Sequence, residues 1–348
     1  MNYKELIEKS ESDLFIIAEA GVNHNGDLQT AFDLVDAAVM AGCDAVKFQT
    51  WITEKVYSKE QSLKPDYQKR ATDINESEFD TVKKLELSFD QFRQIKAYCE
   101  EKGIMFFSTP DELGSACFLK ELGVDLYKTA SQDVTNTPFL AKLAEFGLPI
   151  IFSTGASTIS ELALGVEAMA KTNNQLIILH CVSSYPAPEE DMNLRVISSL
   201  KDMFGYPIGF SDHTKGVEVA CAAVAMGARI FEKHLTLDKD MGGPDHQASL
   251  NPEEMKHYCV ALKNAYKALG DGVKRIMPCE ENVRQAFRRF LVAARELNVG
   301  DTIREEDLIF KKVVDGIEPK YIDLVVGSAV TCRIEEDKVI DWSMIKKT

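Results

Sequence analysis

Three pairs of polar residues stand two apart at the ends of apolar runs: Lys47 with Gln49, Ser211 with His213, and Glu232 with His234. Residues two apart in an extended strand face the same side, so each pair would point one way. Burying a lysine or a glutamate in such a place is costly unless it meets a partner or a ligand. Lys47 and Lys128 are the cationic candidates. With hydroxyls from Thr109, Ser131, Ser153 and Ser211 they make a cradle suited to phosphate and carboxylate groups. His213 and His234 can share a divalent metal and leave positions open for water and substrate oxygens. A lone histidine is more often a hydrogen-bonded core residue, and a lone buried charge is as often a structural ion pair. Several such positions converging on one rim point to a site instead. His24 and His246 fall in loops, and His257 falls in a helix. The chain has no H-E-x-x-H, no G-x-x-x-x-G-K and no G-x-G-x-x-G, so zinc protease, nucleotide hydrolase and dinucleotide chemistry have no support.

The elements that must position these residues repeat along the chain. A helix-like segment ends at a glycine (Gly42, Gly103, Gly123, Gly147, Gly205, Gly227), and a short apolar run follows that finishes in polar residues. Two further runs, residues 14–21 with Glu19 and residues 176–184 with His180, complete eight candidate strands alternating with helices. Strand and helix in alternation imply a parallel sheet, and eight units in succession favour a closed (β/α)8 TIM barrel over an open doubly wound sheet. In such a barrel the chemistry sits at the carboxyl ends of the strands, where these polar residues fall. Helix starts are legible at Ser88, at Thr158 with Glu161, and at Asn251-Pro252.

Two segments break the rhythm. Residues 51–87 form a long polar insertion that includes Lys64-Pro65-Asp66-Tyr67, of the kind used as a lid or a subunit contact. After Gly270-Asp271-Gly272 the pattern turns to short strands and turns. The expected division is a catalytic barrel over 1–276, a linker over 277–289 and a small β-rich domain over 290–348.

At 348 residues the chain accommodates one barrel of about 250 residues and that second domain. Its charge of −15 argues against a nucleic-acid backbone as partner. Residues 1–12 carry mixed charge and no apolar core, so no secretory signal is expected, and no apolar stretch approaches the roughly 20 residues of a membrane span. The expectation is a cytoplasmic protein. Eight scattered cysteines with no C-x-x-C pair read as reduced packing residues, Cys181 at a strand end included.

Ile17-Ala18-Glu19-Ala20-Gly21-Val22-Asn23-His24-Asn25-Gly26, Val46-Lys47-Phe48-Gln49-Thr50, Phe210-Ser211-Asp212-His213, Glu232-Lys233-His234 and Gly243-Pro244-Asp245-His246 occur in that order. They resemble the sialic acid (N-acetylneuraminate) synthase family. The tail, with Leu291-Val292-Ala293-Ala294 and Asn298-Val299-Gly300-Asp301, resembles the antifreeze-like (SAF) domain that ends those enzymes. The resemblance implies condensation of phosphoenolpyruvate with an N-acyl mannosamine-type sugar, assisted by Mn2+ or Mg2+, in a domain-swapped homodimer. Carried over by motif, Lys47, Thr109, Lys128, Ser131, Ser153 and Ser211 would hold phosphoenolpyruvate, and His213 and His234 the metal. Gln49, Tyr185, Glu232 and Asp245 would contact the sugar, with Glu19 near the reacting carbons. Three positions depart from the family pattern. Ser183 follows the sixth strand in place of an asparagine or threonine-rich run, and Asp111 stands where phenylalanine is usual. Lys312 replaces the tail arginine that reaches the acyl group in the neighbouring barrel, without that residue's planar fork.

N-acetylmannosamine is the first expectation for the sugar. A 2,4-diacetamido-trideoxy sugar, as for legionaminic acid, or a 6-phosphorylated sugar is the alternative. A metal-dependent pyruvate aldolase would not need the phosphate cradle, and a non-enzymatic carbohydrate binder would leave both lysines and both histidines without purpose.

Overall fold

The computed structural model describes residues 1–60 and 76–347. Eight strands form a closed parallel barrel: β1 (Phe15–Gly21), β2 (Ala45–Thr50), β3 (Met105–Pro110), β4 (Tyr127–Thr129), β5 (Ile150–Ser153), β6 (Leu176–Cys181), β7 (Ile208–Asp212) and β8 (Ile230–His234). Closure comes from β1, which pairs with β2 on one side and with β8 on the other. The eight-stranded barrel expected from the repeat is what the chain forms.

Alternation along each strand separates two cores. Outward residues such as Ile16, Val46, Phe106, Tyr127, Phe152, Ile178 and Phe231 pack under the surrounding helices. Inward residues near the strand starts, among them Phe15, Ile17, Phe107, Ile151, Ile177 and Ile230, fill the barrel floor. Farther along the same inward rows the residues turn polar: Glu19, Lys47, Thr109, Lys128, Ser153, Ser211 and Glu232. One row per strand thus builds both a dry floor and a polar mouth. In β7 the inward position below Ser211 is Gly209, where a Cβ would lie 2.3 Å from the Ile230 carbonyl oxygen and 2.5 Å from Leu179 Cδ2.

The helix starts expected at Ser88, Thr158 and Asn251 all carry capping boxes, with Gln91, Glu161 and Glu254 as the returning partners. Helices ahead of β2, β3 and β4 end on left-handed Gly42, Gly103 and Gly123. Residues 1–12, for which no element is expected from the sequence, are helical. They form α1 (Tyr3–Ser12), capped by Asn2 and Glu5, and its Leu6 is buried in the barrel floor with Tyr3 and Ile7 packed beside it. β6 ends at Cys181, short of the expected Ser184, and a cis Tyr185–Pro186 bond follows. In the insertion after β2, helices span Thr53–Val56 and Glu78–Leu85. Lys64-Pro65-Asp66-Tyr67 lies outside the described residues.

The chain divides into two compact units, Met1–Gly270 and Asp271–Thr348. The second contains a helix over Glu281–Phe287, within the segment expected as linker, and the antiparallel pair β9 (Arg289–Ala293) and β10 (Leu308–Lys312). A two-stranded pair of β11 (Ala329–Val330) with β12 (Ile345–Lys346) follows, and Leu291, Leu297, Ile303, Val325 and Ile340 form a small core. No helix among the described residues is long and apolar enough to cross a membrane.

Candidate active site

A cavity of about 800 Å3 opens at the carboxyl ends of the barrel strands. Every candidate residue named above except Lys312 lines it. At its base two lysines and two glutamates interlock, all buried. Lys47 Nζ lies 2.9 Å from Glu19 Oε2 and 3.6 Å from Glu232 Oε2, and it donates to Thr109 Oγ1 at 3.0 Å. Lys128 Nζ donates to Ser153 Oγ at 2.6 Å and to the Thr129 carbonyl at 2.9 Å, but its nearest carboxylate, Glu232 Oε1, is 3.7 Å away. Ser211 donates to Glu232 Oε1 at 3.0 Å, and Gln49 Nε2 donates to Glu19 Oε1 at 3.1 Å.

Charge is divided unevenly in this network. Burial lowers the Lys128 ammonium below its ordinary range, with Glu232 opposing only in part. Burial also disfavours the charge on Lys47, yet Glu19 and Glu232 together raise it. Against the upward push of burial, Lys128 and Lys47 hold Glu232 down at about 2. Glu19 moves the other way, because burial and the neighbouring Glu232 outweigh Lys47. Lys128 is therefore the cation with the most to gain from an incoming anion. Next to it, Gly155 donates its N–H to Ser131 Oγ at 3.0 Å. A Cβ on Gly155 would sit 2.0 Å from Ser183 Oγ and 2.7 Å from Ser131 Oγ, so only glycine leaves this hydroxyl-lined hollow open.

Across the cavity, the His213 and His234 rings lie 5.3 Å apart, with the Tyr185 ring 4.1 Å from His213. His213 Nδ1 is 2.8 Å from the Val182 carbonyl. A carbonyl can only accept, so Nδ1 carries a proton, and whenever the ring is neutral its lone pair is on Nε2. Against burial, Cys181 and the Val182 carbonyl favour the charged ring. His234 Nδ1 is buried without a hydrogen-bond partner, 3.7 Å from Asp245 Oδ2. Burial, followed by the charge of His213, keeps the His234 imidazole well below its ordinary range, hence neutral. Burial and Glu19 push Asp245 up to about 6. No group of three or more His, Cys, Asp or Glu side chains among the described residues stands ready to hold a metal. An ion on these two imidazoles would complete its shell with water or substrate oxygens.

Several lining residues had no site role assigned from the sequence, Cys181, Asp111 and Trp51 among them. Cys181, expected as a packing residue, also faces the cavity, 3.7 Å from Ser131 Oγ and 3.9 Å from His213 Nδ1. Burial opposes its ionisation, but His213 and Lys128 draw the thiol down to about 7. Asp111 lines the wall beyond β3, where burial and Asp133 push its carboxyl up to about 8. Trp51 stands two residues beyond Gln49, the spacing that could have flagged it, and packs with Val22 and Leu85 into an apolar wall. Other histidines are occupied elsewhere. His180 bonds the Met192 carbonyl at 2.6 Å, and His246 bonds Thr236 Oγ1 at 2.7 Å. His24 Nδ1 accepts from the Gly26 N–H, and burial takes this imidazole down to about 4. Lys312 belongs to the second unit, exposed on β10 with its ammonium 4.3 Å from the Phe287 ring centre.

A family model matches nearly the whole barrel: NeuB, over residues 34–274. The chain belongs to the NeuB family. In this NeuB-family chain the SAF domain follows, matching residues 288–346. A relative from Legionella pneumophila, named N,N'-diacetyllegionaminic acid synthase, is 40% identical and covers 95% of this chain and 94% of its own. One of the same name from Campylobacter jejuni is 39% identical over 93% of this chain and 98% of its own. Among solved structures, the N-acetylneuraminic acid (sialic acid) synthetase of Leptospira borgpetersenii in complex with citrate is 37% identical, with a TM-score of 0.69. It covers 79% of this chain and 92% of that one. The NeuB barrel is thus that of a condensing synthase.

Proposed function

We propose that this enzyme joins phosphoenolpyruvate to the open-chain aldehyde of an N-acyl mannosamine-type sugar, giving a nine-carbon 2-keto acid and phosphate. One observation carries the reading. Lys128, with spare capacity for an anion, stands among hydroxyls on one side of a cavity whose other side presents two imidazoles. Phosphate and carboxylate would lie on Lys47, Lys128, Thr109, Ser131, Ser153 and Ser211. The sugar would lie toward Gln49, Tyr185, Glu232 and Asp245.

The π pair of the C2–C3 double bond forms the new C–C bond from C3 to the aldehyde carbon. The aldehyde π pair moves to its oxygen, which takes up one proton released by the water that adds at C2. Positive character is left on C2, which bears the phosphate. In its ionised form Glu19 stabilises that charge and orients the water that adds there. The bond from C2 to the phosphate oxygen then breaks, the hydroxyl on C2 gives up its proton to become the keto group, and phosphate leaves with that proton on the lysines. A divalent ion on His213 and His234, Mn2+ or Mg2+, would supply a Lewis acid for the aldehyde oxygen. The orphaned His234 nitrogen and the fixed His213 tautomer suit such an ion.

The first reading for the sugar is N-acetylmannosamine. A specific observation favours a 2,4-diacetamido-trideoxy sugar as the second. Lys47 and Lys128 are the lysines lining the cavity among the described residues, both in the network at its base, while Trp51, Val22 and Leu85 give it an apolar stretch of wall. That wall suits a deoxy methyl end better than a hydroxyl or a phosphate. The names of the Legionella and Campylobacter relatives point the same way. We further propose a homodimer in which Lys312 of one subunit serves the barrel of the other, as the family resemblance implies.

The test is phosphate release from phosphoenolpyruvate with a panel of N-acyl mannosamines and their 4-acetamido-6-deoxy and 6-phosphorylated analogues. Release should require sugar, cease with chelator and return with Mn2+. Full activity in metal-free protein or in His234→Ala would overturn the metal assignment. Turnover of pyruvate in place of phosphoenolpyruvate would make the enzyme an aldolase.

A further inference from the structure

Strands β7 and β8 run in register, Ser211 opposite Glu232 and Asp212 opposite Lys233. Ser211 and Glu232 face the cavity, so Asp212 and Lys233 face outward, into the layer beneath the helices. There they form an ion pair, Nζ to Oδ2 3.1 Å, with both side chains fully shielded from solvent. Asp212 Oδ1 also accepts from the Thr214 N–H at 2.9 Å and from its hydroxyl at 2.7 Å. The Lys233 ammonium donates a further bond to the Thr214 carbonyl and lies 5.6 Å from the ring centre of Tyr258. His213 is thereby bracketed: the residues before and after it are both tied to the residue before His234.

An ion pair sealed in an apolar layer is a poor source of stability, because stripping water from two charges offsets most of their attraction. Apolar side chains of similar volume would stabilise the layer as well or better. Directional bonds do something that apolar contacts do not. They fix the turn after His213 and the offset between the two strands, and so the aim of both rings. We propose that Asp212 and Lys233 are positioning residues that hold His213 and His234 in the arrangement needed to share one divalent ion. The inference rests on the metal reading above and extends it to residues that touch neither metal nor substrate.

Mn2+ binding to metal-stripped protein, followed by the electron paramagnetic resonance of the free ion, tests it without turnover. The parent should take up Mn2+, and His213→Ala should lose it. In the double variant Asp212→Leu/Lys233→Met both charges are gone while the branched and the linear side-chain shapes are kept. We expect an unchanged circular dichroism spectrum and a melting temperature equal to the parent's or higher. Phosphoenolpyruvate binding, read by quenching of tryptophan fluorescence, should be unchanged, while the Mn2+ dissociation constant rises about 10–100-fold, the usual effect of losing groups that orient ligands. Parent-like Mn2+ affinity in the double variant would overturn the proposal. Equal loss of Mn2+ and phosphoenolpyruvate binding would overturn it too, by showing a general structural role. Should the parent itself take up no Mn2+, the metal reading fails, and the positioning role goes with it. If the double variant does not fold, Thr214→Val removes only the hydroxyl bond to Asp212. Weaker Mn2+ binding with unchanged phosphoenolpyruvate binding would then support the proposal, and unchanged Mn2+ binding would overturn it.

Discussion

Lys47 and Lys128 share Glu232 but are supplied unequally. Lys47 also holds Glu19 at 2.9 Å, whereas the nearest carboxylate to Lys128 is 3.7 Å away. Phosphoenolpyruvate, an anion, should therefore depend more on Lys128. Removing a charged hydrogen bond costs about 1.5–3 kcal/mol. Lys128→Ala should accordingly raise the KM for phosphoenolpyruvate by roughly 10- to 150-fold, with a smaller change for the sugar; the reverse pattern would move Lys128 to the sugar side. Asp111 supports a pH prediction. Burial and Asp133 raise its carboxyl from 3.8 to about 8. A raised folded-state value contributes stability that is complete below the unfolded value and is lost as pH climbs to the folded one. Asp111→Asn stays neutral throughout, so its melting temperature should gain on the parent's between about pH 4 and about pH 8. An equal difference in melts at the two ends would refute the shift. Much of the cavity lining was legible in the sequence because strand residues two apart share a face, which marks Lys47, Gln49, His213 and His234 together. Asp111 and Cys181 were not assigned roles. The first stands just past a strand end, where alternation no longer says which way a side chain points. The second is a residue type that usually packs.

At the scale of elements, legibility followed local signals. A glycine in the left-handed conformation after a helix is a backbone requirement, so Gly42, Gly103 and Gly123 announced the strands that follow them. Capping boxes at Ser88, Thr158 and Asn251 were readable for the same reason. The opening helix was not. Its apolar residues are few, and only the barrel floor, assembled from strands far along the chain, gives Leu6 something to bury against. Asn2 and Glu5 did offer the capping-box spacing. Leu6→Ala should leave a void under the barrel and cost about 2–5 kcal/mol of stability by denaturant unfolding. The KM for phosphoenolpyruvate should be unchanged, since the floor lies beneath the reacting groups. A loss below about 1 kcal/mol would mean that the floor closes without α1.

On the scale of the whole molecule, the two units pose a question of division of labour. The barrel unit ends at Gly270 and carries every cavity residue, while the second unit has a small core of its own and carries Lys312. A chain ending at Gly270 should therefore fold, with a circular dichroism spectrum typical of a barrel. If Lys312 acts on a neighbouring barrel, that shortened chain should still bind phosphoenolpyruvate and lose most sugar turnover. Lys312→Arg should restore the planar fork and change the preference among N-acyl groups. A sharper experiment mixes two defective chains, Lys312→Ala and His213→Ala. In a hybrid dimer whose tails serve the partner, one site carries both lesions and the other carries neither, so partial activity should reappear. In a dimer whose tails serve their own barrels, each site keeps one lesion and activity stays low. No recovery in hybrids verified by mass spectrometry would therefore assign Lys312 to its own subunit, or to no catalytic task at all.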